Sequence, residues 1–187
     1  MGFLDDARSL VAGIPGDIQR AAGYRERLAT PREESQARKV FQNTLPYGRI
    51  WISNGLGAAR REYTIPRPLG GPDNYLIHLG PVGFADACGR VVINLASTEQ
   101  TFIHELTHVW QGHNSRFPPG YVFNSLWHQA TQQAAAYRYT PGQQWRSYNV
   151  EQQAKIVEHW WWRDGGNENR DNPLWPYVRD NIRGLQP

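Results

Sequence analysis

The chain has 187 residues, with a net charge of +3 and 12% aromatic residues. That length suits one domain with a sizeable core, and eight Trp and nine Tyr exclude a disordered polar chain. A single cysteine, Cys88, excludes an internal disulfide and a Cys-rich zinc knuckle, and no apolar run reaches the roughly 18 residues of a membrane-crossing helix.

Lys39 and Lys155 are the only lysines. The arginines are scattered, with Arg60 and Arg61 the one adjacent pair, so the positive charge reads as ordinary surface and no nucleic-acid partner is expected. No basic stretch followed by an apolar segment opens the chain, so no secretory signal is expected. Residues 1–30 carry a loose apolar stripe (Phe3, Leu4, Leu10, Val11) interrupted by Gly13-Ile14-Pro15-Gly16. They are expected to form an arm or linker to a larger protein, with the folded domain over 31–187.

Thr30-Pro31-Arg32-Glu33 is a helix start: Thr30 caps, Pro31 fits the first helical position and Glu33 completes a capping box. This helix should run to about Asn43 and stop before Leu45-Pro46. Three strand-like runs follow, over 49–53, 75–79 and 90–94, with Gly55-Leu56-Gly57, the Pro/Gly-rich 66–72 and Gly80-Pro81 as turns between them. Ser97, with Gln100 three residues on, caps a helix that carries residues 101–110 and ends near Gly112. A further helix is expected over 125–139, broken by Pro141-Gly142. Asn149, with Gln152 at the box position, caps another that runs to about Arg163, before Gly165-Gly166. Asn172-Pro173 starts a last short helix toward Ile182. A helix, a small sheet and then helices make an α+β domain.

His104-Glu105-Leu106-Thr107-His108 is an H-E-x-x-H motif, which chance would place in about 1% of chains of this composition. Residues four apart share a helix face, so both imidazoles can reach one Zn²⁺. Glu105 sits beside them, angled away from the ion, where a general base acting on water belongs. Two histidines leave a catalytic zinc one protein ligand short. A third histidine in the extended motif would need Gly at 111 and His at 114, where this chain has Gln111 and Asn114. Candidates further along are His128, Glu151, Glu158, His159 and Glu168. Glu151, in the first turn of a capped helix, could equally serve the helix dipole.

The stretch from Phe102 to Gln111 resembles the metal-binding helix of zincin metallopeptidases found as bacterial toxin domains. The stretch Tyr148-Asn149-Val150-Glu151-Gln152-Gln153-Ala154-Lys155-Ile156-Val157-Glu158 resembles the second signature of the same families, and Tyr137-Arg138-Tyr139 ahead of it also fits. The resemblance covers about 40% of the chain, and length and order are similar to the metallopeptidase domain at the C-terminus of VgrG-type spike proteins of type VI secretion. It implies a zincin-like fold, with a small sheet and the H-E-x-x-H helix packed against further helices. It also implies a Zn²⁺ cofactor held by His104, His108 and Glu151, with Glu105 as the base. The implied activity is zinc-dependent peptide-bond hydrolysis, in a domain covalently part of a secretion spike, exported without a signal peptide and acting in the periplasm of a target bacterium. The implied partners are a protein or peptide substrate and a cognate immunity protein.

The chain departs from many such families at Lys155, where an Asp four residues after the ligand Glu orients a ligand His. Asn94 or Glu158 would have to take over. A transition-state donor could come from Tyr137, Tyr139, Tyr148 or His128. The strand over 90–94 could be an edge on which an extended substrate adds. Trp160, Trp161 and Trp162 lie about 100° apart on a helix and cannot all be buried on one side. The exposed one is a rim residue or docks to a partner or membrane surface. Cys88 reads as a small buried residue. The alternative to an enzyme is a zincin-shaped binding or targeting module with structural zinc or none.

Overall fold

The computed structural model describes residues 23–57, 60–67, 73–93, 96–114 and 134–185. Four strands form one sheet: β1 (Glu26–Leu28), β2 (Ile50–Ser53), β3 (Tyr63–Pro66) and β4 (Tyr75–His78), in the order β1-β2-β4-β3. β2 and β4 run parallel, and the outer pairs are antiparallel. The segment expected as an arm thus supplies β1 at its end, which pairs Leu28 with Trp51 of β2. β3 did not read as a strand in the sequence because it runs into Pro66. Proline offers no N–H to a ladder, and an edge strand is where a sheet tolerates that.

Strand alternation divides the sheet. Ile50, Ile52, Tyr75 and Ile77 belong to the main core on the helix side, while Tyr63, Ile65 and Leu76 form a smaller cluster with Trp51 on the other. The expected single strand over 90–94 is instead a two-residue β5 (Val92–Ile93) folded back on β6 (Ala96–Ser97), separate from the four-stranded sheet. Val91, just ahead of β5, and Val92 are exposed. Gly80-Pro81, expected as a turn, opens a short helix α2 (Gly80–Ala85), since Pro suits a first helical turn.

The three capping boxes form as their residues dictate. Thr30 and Glu33 close the start of α1 (Pro31–Phe41). Ser97 and Gln100 exchange bonds of 2.9 and 3.2 Å at the start of α3 (Thr98–Asn114). Asn149 and Gln152 do the same for α4 (Val150–Asp164), which ends on Gly165 in the left-handed conformation at φ 58°. Two short 3₁₀ turns, Ala134–Tyr137 and Trp145–Ser147, precede α4. Most of the helix expected over 125–139 lies outside the described residues. A C-terminal helical stretch, Tyr177–Arg183, follows Asn172, whose Oδ1 accepts the Leu174 N–H at 2.9 Å.

α3 is the central helix. Every residue from Phe102 to Gly112 is buried, which is the signature of a helix covered on all sides. α4 packs along it, and Phe102, Ile103, Leu106, Val109 and Trp110 share one core with Ile156, Val157 and Trp160 of α4 and Phe41 of α1. Gly112 allows close approach to the sheet, because a Cβ there would stand 2.9 Å from Tyr75 Cε1. Trp110 Nε1–H donates to the Ile182 carbonyl at 3.1 Å and ties α3 to the C-terminal stretch. Trp160 and Trp161 are buried and Trp162 is 61% exposed, as their angular spacing requires. No helix among the described residues is long and apolar enough to cross a membrane.

Candidate metal centre

His104 and His108 present their rings from one face of α3, 5.0 Å apart between ring centroids. The first turn of α4 brings Glu151 to them. One ligand-type atom from each of the three residues lies within 4.8 Å of the others, and all three side chains are buried. Glu151 Oε2 stands 3.2 Å from His104 Nε2 and 3.5 Å from His108 Nε2. In a tetrahedral zinc site with bonds of about 2.0–2.2 Å, ligand atoms stand ~3.3–3.6 Å apart, so this spacing matches two edges of such a tetrahedron.

The hydrogen bonds behind the rings fix which nitrogen faces the centre. Gln153 Nε2 points at two backbone carbonyls, of Trp145 at 3.1 Å and Tyr148 at 3.3 Å, so it must be the NH₂ end of that amide. Gln153 Oε1 therefore accepts from Gln111 Nε2 at 2.9 Å, and the same Nε2 donates to the Val150 carbonyl at 3.0 Å. That leaves Gln111 Oε1 facing His108 Nδ1 at 2.8 Å, so Nδ1 carries the proton. His108 Nε2 is thereby turned into the centre, buried and 3.5 Å from Glu151 Oε2; burial disfavours a charged His108, but Glu151 outweighs it and pushes the imidazole up.

His104 is held in the same sense. Its Nδ1 lies 3.0 Å from Glu158 Oε2, and Glu158 Oε1 accepts from Lys155 Nζ at 2.6 Å. With Nδ1 donating to Glu158, Nε2 would direct a lone pair at an oxygen of Glu151, which also carries lone pairs. Three converging acceptors are stable only around a shared cation, either a proton or a metal ion. Burial disfavours a charged His104, but hydrogen bonds to Glu151 and Glu158 outweigh it and push the imidazole up to about 10. Burial likewise opposes ionisation of Glu151, and the two histidines reverse this and hold its carboxyl well below the usual range. The three residues thus offer a donor set that fits a divalent ion, with His108 Nε2 facing into it.

Glu105 is buried beside this centre and turns toward β3. Its Oε2 accepts from the Thr64 hydroxyl at 2.7 Å, and the Glu105 backbone carbonyl lies 3.2 Å from the same hydroxyl. Burial pushes its carboxyl up, partly offset by His108, His104 and Thr64.

The remaining candidates go elsewhere. Glu158 backs His104 and does not join the three-residue cluster. His159 pairs with the Tyr139 hydroxyl at 2.7 Å, and Glu168 with Arg183. His128 and Asn94 lie outside the described residues. Among the donor candidates, Tyr148 hydrogen-bonds the Thr140 carbonyl at 2.6 Å and the Tyr177 hydroxyl at 3.1 Å, away from the centre. Tyr137 lies beside it, with its ring centroid 6.2 Å from that of His104. Burial, with Glu151 adding to it, pushes the Tyr137 phenol up to about 12, partly offset by the Arg61 guanidinium nearby. The Cys88 thiol is pushed up to about 12 by burial, which removes it as a nucleophile.

Thr64, Gln111, Gln153 and Arg61 were not anticipated from sequence. Gln111 could have been, since it stands three residues after His108 on the same helix. No local signal marks the other three, which reach the centre from separate segments.

The chain matches no protein-family model. Over 167 aligned residues, covering 80% of the chain, it is 29% identical to the type VI secretion system spike protein VgrG2b of Pseudomonas aeruginosa. It spans 15% of the length of that relative. The solved effector domain of P. aeruginosa VgrG2b aligns with 95% of this chain and 94% of its own, at 22% sequence identity and a TM-score of 0.48.

Proposed function

We propose that this chain is a zinc-dependent peptidase domain, acting as a type VI secretion effector. The observation that carries the reading is the convergence of His104 Nε2, His108 Nε2 and Glu151 Oε2, with the Glu105 carboxylate alongside. A structural zinc closes its shell with four protein ligands, whereas a catalytic one keeps a position open. Three converge here among the described residues, which favours the catalytic reading over a binding module.

When bound, zinc supplies Lewis acidity, polarising the scissile carbonyl and acidifying water. His104, His108 and Glu151 hold the ion, with Glu158 and the Gln111–Gln153 pair fixing the two rings. Glu105 takes the proton of the attacking water and delivers it to the leaving amine. Tyr137, the aromatic donor candidate beside His104, donates to the carbonyl oxygen as charge develops there. The edge strand closest to this machinery is β3, which carries Thr64, and not the 90–94 hairpin.

Similarity to a spike protein of type VI secretion supports a domain carried by a larger protein, with the segment ahead of β1 as the junction. Such a domain would be delivered without a signal peptide to the periplasm of a target bacterium. It would act there on a protein or peptide, and the producing cell would be protected by a cognate immunity protein.

The test is a purified chain assayed for zinc content and for hydrolysis of an unfolded protein substrate, before and after chelation and zinc replacement. About one zinc per chain and activity that follows the metal are expected. Absence of metal after zinc-supplemented purification, or a zinc-loaded protein that leaves the unfolded substrate intact, overturns the reading.

A further inference from the structure

We infer that Thr64 is a positioning residue for the general base: its hydroxyl anchors one oxygen of the Glu105 carboxylate and so aims the other at the attacking water. The inference rests on the peptidase reading above and names a part of the site which that reading does not contain.

Three observations carry it. The Thr64 Oγ1–H to Glu105 Oε2 bond, at 2.7 Å, is a side-chain bond spanning 41 residues, and both residues are buried. The tie uses Oε2 alone, so the two carboxylate oxygens are made inequivalent and Oε1 is the one left to take a proton. Thr64 itself is held on the sheet by β4. It pairs with Ile77 across the β3–β4 ladder, and a β-branched residue in a strand has few side-chain rotamers. The hydroxyl is therefore a fixed point on the sheet, while Glu105 is a three-torsion side chain on the helix.

The geometry has a functional consequence. Glu105 stands next to His104 in sequence, so the helix sets where its Cα lies, but nothing on α3 sets where its carboxylate ends. Efficient proton transfer needs a heavy-atom approach of about 2.6–3.2 Å, and a misplacement of about 1 Å can cost 10²-fold. An anchor from β3 supplies the missing constraint. It also makes the base sensitive to the position of β3, an edge strand, relative to α3.

The experiment compares Thr64→Val, which is isosteric and lacks only the hydroxyl, with Thr64→Ser, which keeps it. The first readout needs no activity: crystal structures of both variants, metal-free and zinc-loaded. The Glu105 carboxylate should leave its place or split into two conformers in Thr64→Val and stay in Thr64→Ser. An unmoved carboxylate in Thr64→Val overturns the inference even if the chain proves not to be a peptidase. The second readout is kinetic. Thr64→Val should keep its zinc and its KM and lose kcat by about 10- to 100-fold, with Thr64→Ser recovering most of the loss. In a Glu105→Gln background the Thr64→Val substitution should add nothing. Wild-type kcat in Thr64→Val, or an equal loss in the Glu105→Gln background, overturns the inference while leaving the peptidase reading in place. A wild-type chain without hydrolysis overturns that reading instead. If Thr64→Val does not fold, Thr64→Ala takes its place in both readouts.

Discussion

Glu158 Oε2 lies 3.0 Å from Nδ1 of His104, the ring nitrogen on the opposite side from Glu151. One turn back on α4, Lys155 closes on the other oxygen of the same carboxylate at 2.6 Å. The helix thus supplies both a metal-ligand candidate and, seven residues on, the acceptor that orients the His104 ring. Burial opposes ionisation of Glu158, and His104 together with Lys155 reverses this and holds its carboxyl below the usual range.

Removing this acceptor should weaken the metal without emptying the site. Glu158→Ala is expected to lower zinc affinity by about 10- to 100-fold, and Glu158→Gln by less, because its amide oxygen can still accept from Nδ1. Competitive zinc titration reads both. Wild-type affinity in Glu158→Ala would show that His104 needs no partner.

Glu151→Gln separates a ligand from a residue that merely suits a helix start. As a ligand, its loss should weaken zinc by more than the loss of Glu158 does. As a helix-dipole partner alone, it would cost about 0.3–1 kcal/mol of stability and leave zinc bound. Zinc titration beside thermal denaturation of the same variant decides between them.

The tautomer of His108 depends on a buried amide pair, so an apolar replacement there should be felt at the metal. Gln111→Leu leaves His108 Nδ1–H without its acceptor and orphans Gln153 Oε1. Zinc affinity should fall by about 10- to 100-fold, and stability by about 1–3 kcal/mol. A variant that loses stability but binds zinc normally would show that the ring is held by packing alone.

Tyr137→Phe removes the aromatic hydroxyl that, among the described residues, stands beside the centre. The expected result is a fall in kcat of about 10²-fold with zinc content unchanged, and Tyr139→Phe should serve as a silent control. Equal rates in Tyr137→Phe and wild type would move the donor role to another group, with Arg61 next in line.

A separate prediction concerns acid stability. His78 is buried on the far face of the sheet, stacked on Tyr63 at 4.1 Å, with Ser53 Oγ 2.7 Å from its Nδ1 and no partner for its Nε2 among the described residues. Tyr24 and Glu26 lie nearby; burial dominates and holds the imidazole down at about 4. A depressed histidine means that the unfolded chain binds the proton first. Stability from neutral His78 is complete above about pH 6.5 and is lost as pH falls toward 4, by about 3 kcal/mol at most. Urea denaturation of metal-free wild type and His78→Gln at pH 7, 5.5 and 4.5 should show their difference shrinking as pH falls. A constant difference would mean that His78 does not titrate in this window.

Much of this architecture is local and could be read along the chain. The three capping boxes, at Thr30, Ser97 and Asn149, form because each needs only a side chain and a backbone N–H three residues away. The His104–His108 pairing follows in the same way from the pitch of a helix. β3 was hidden by Pro66, and the boundary at residue 30 by β1, because pairing partners and edge positions exist only once a sheet is assembled. The residues around the motif divide along the same line. Residue type alone leaves Glu151 one of several candidates, and only the resemblance of 148–158 to a known signature singles it out; its contact with His104 spans 47 residues, and the Gln111–Gln153 bond spans 42. A helix repeat sets the relation of side chains three and four positions apart. Which carboxylate faces the histidines, which hydroxyl holds Glu105 and which amide sets the tautomer of His108 are decided by how α3 packs between the sheet and α4, through contacts that leave no periodic trace in the sequence.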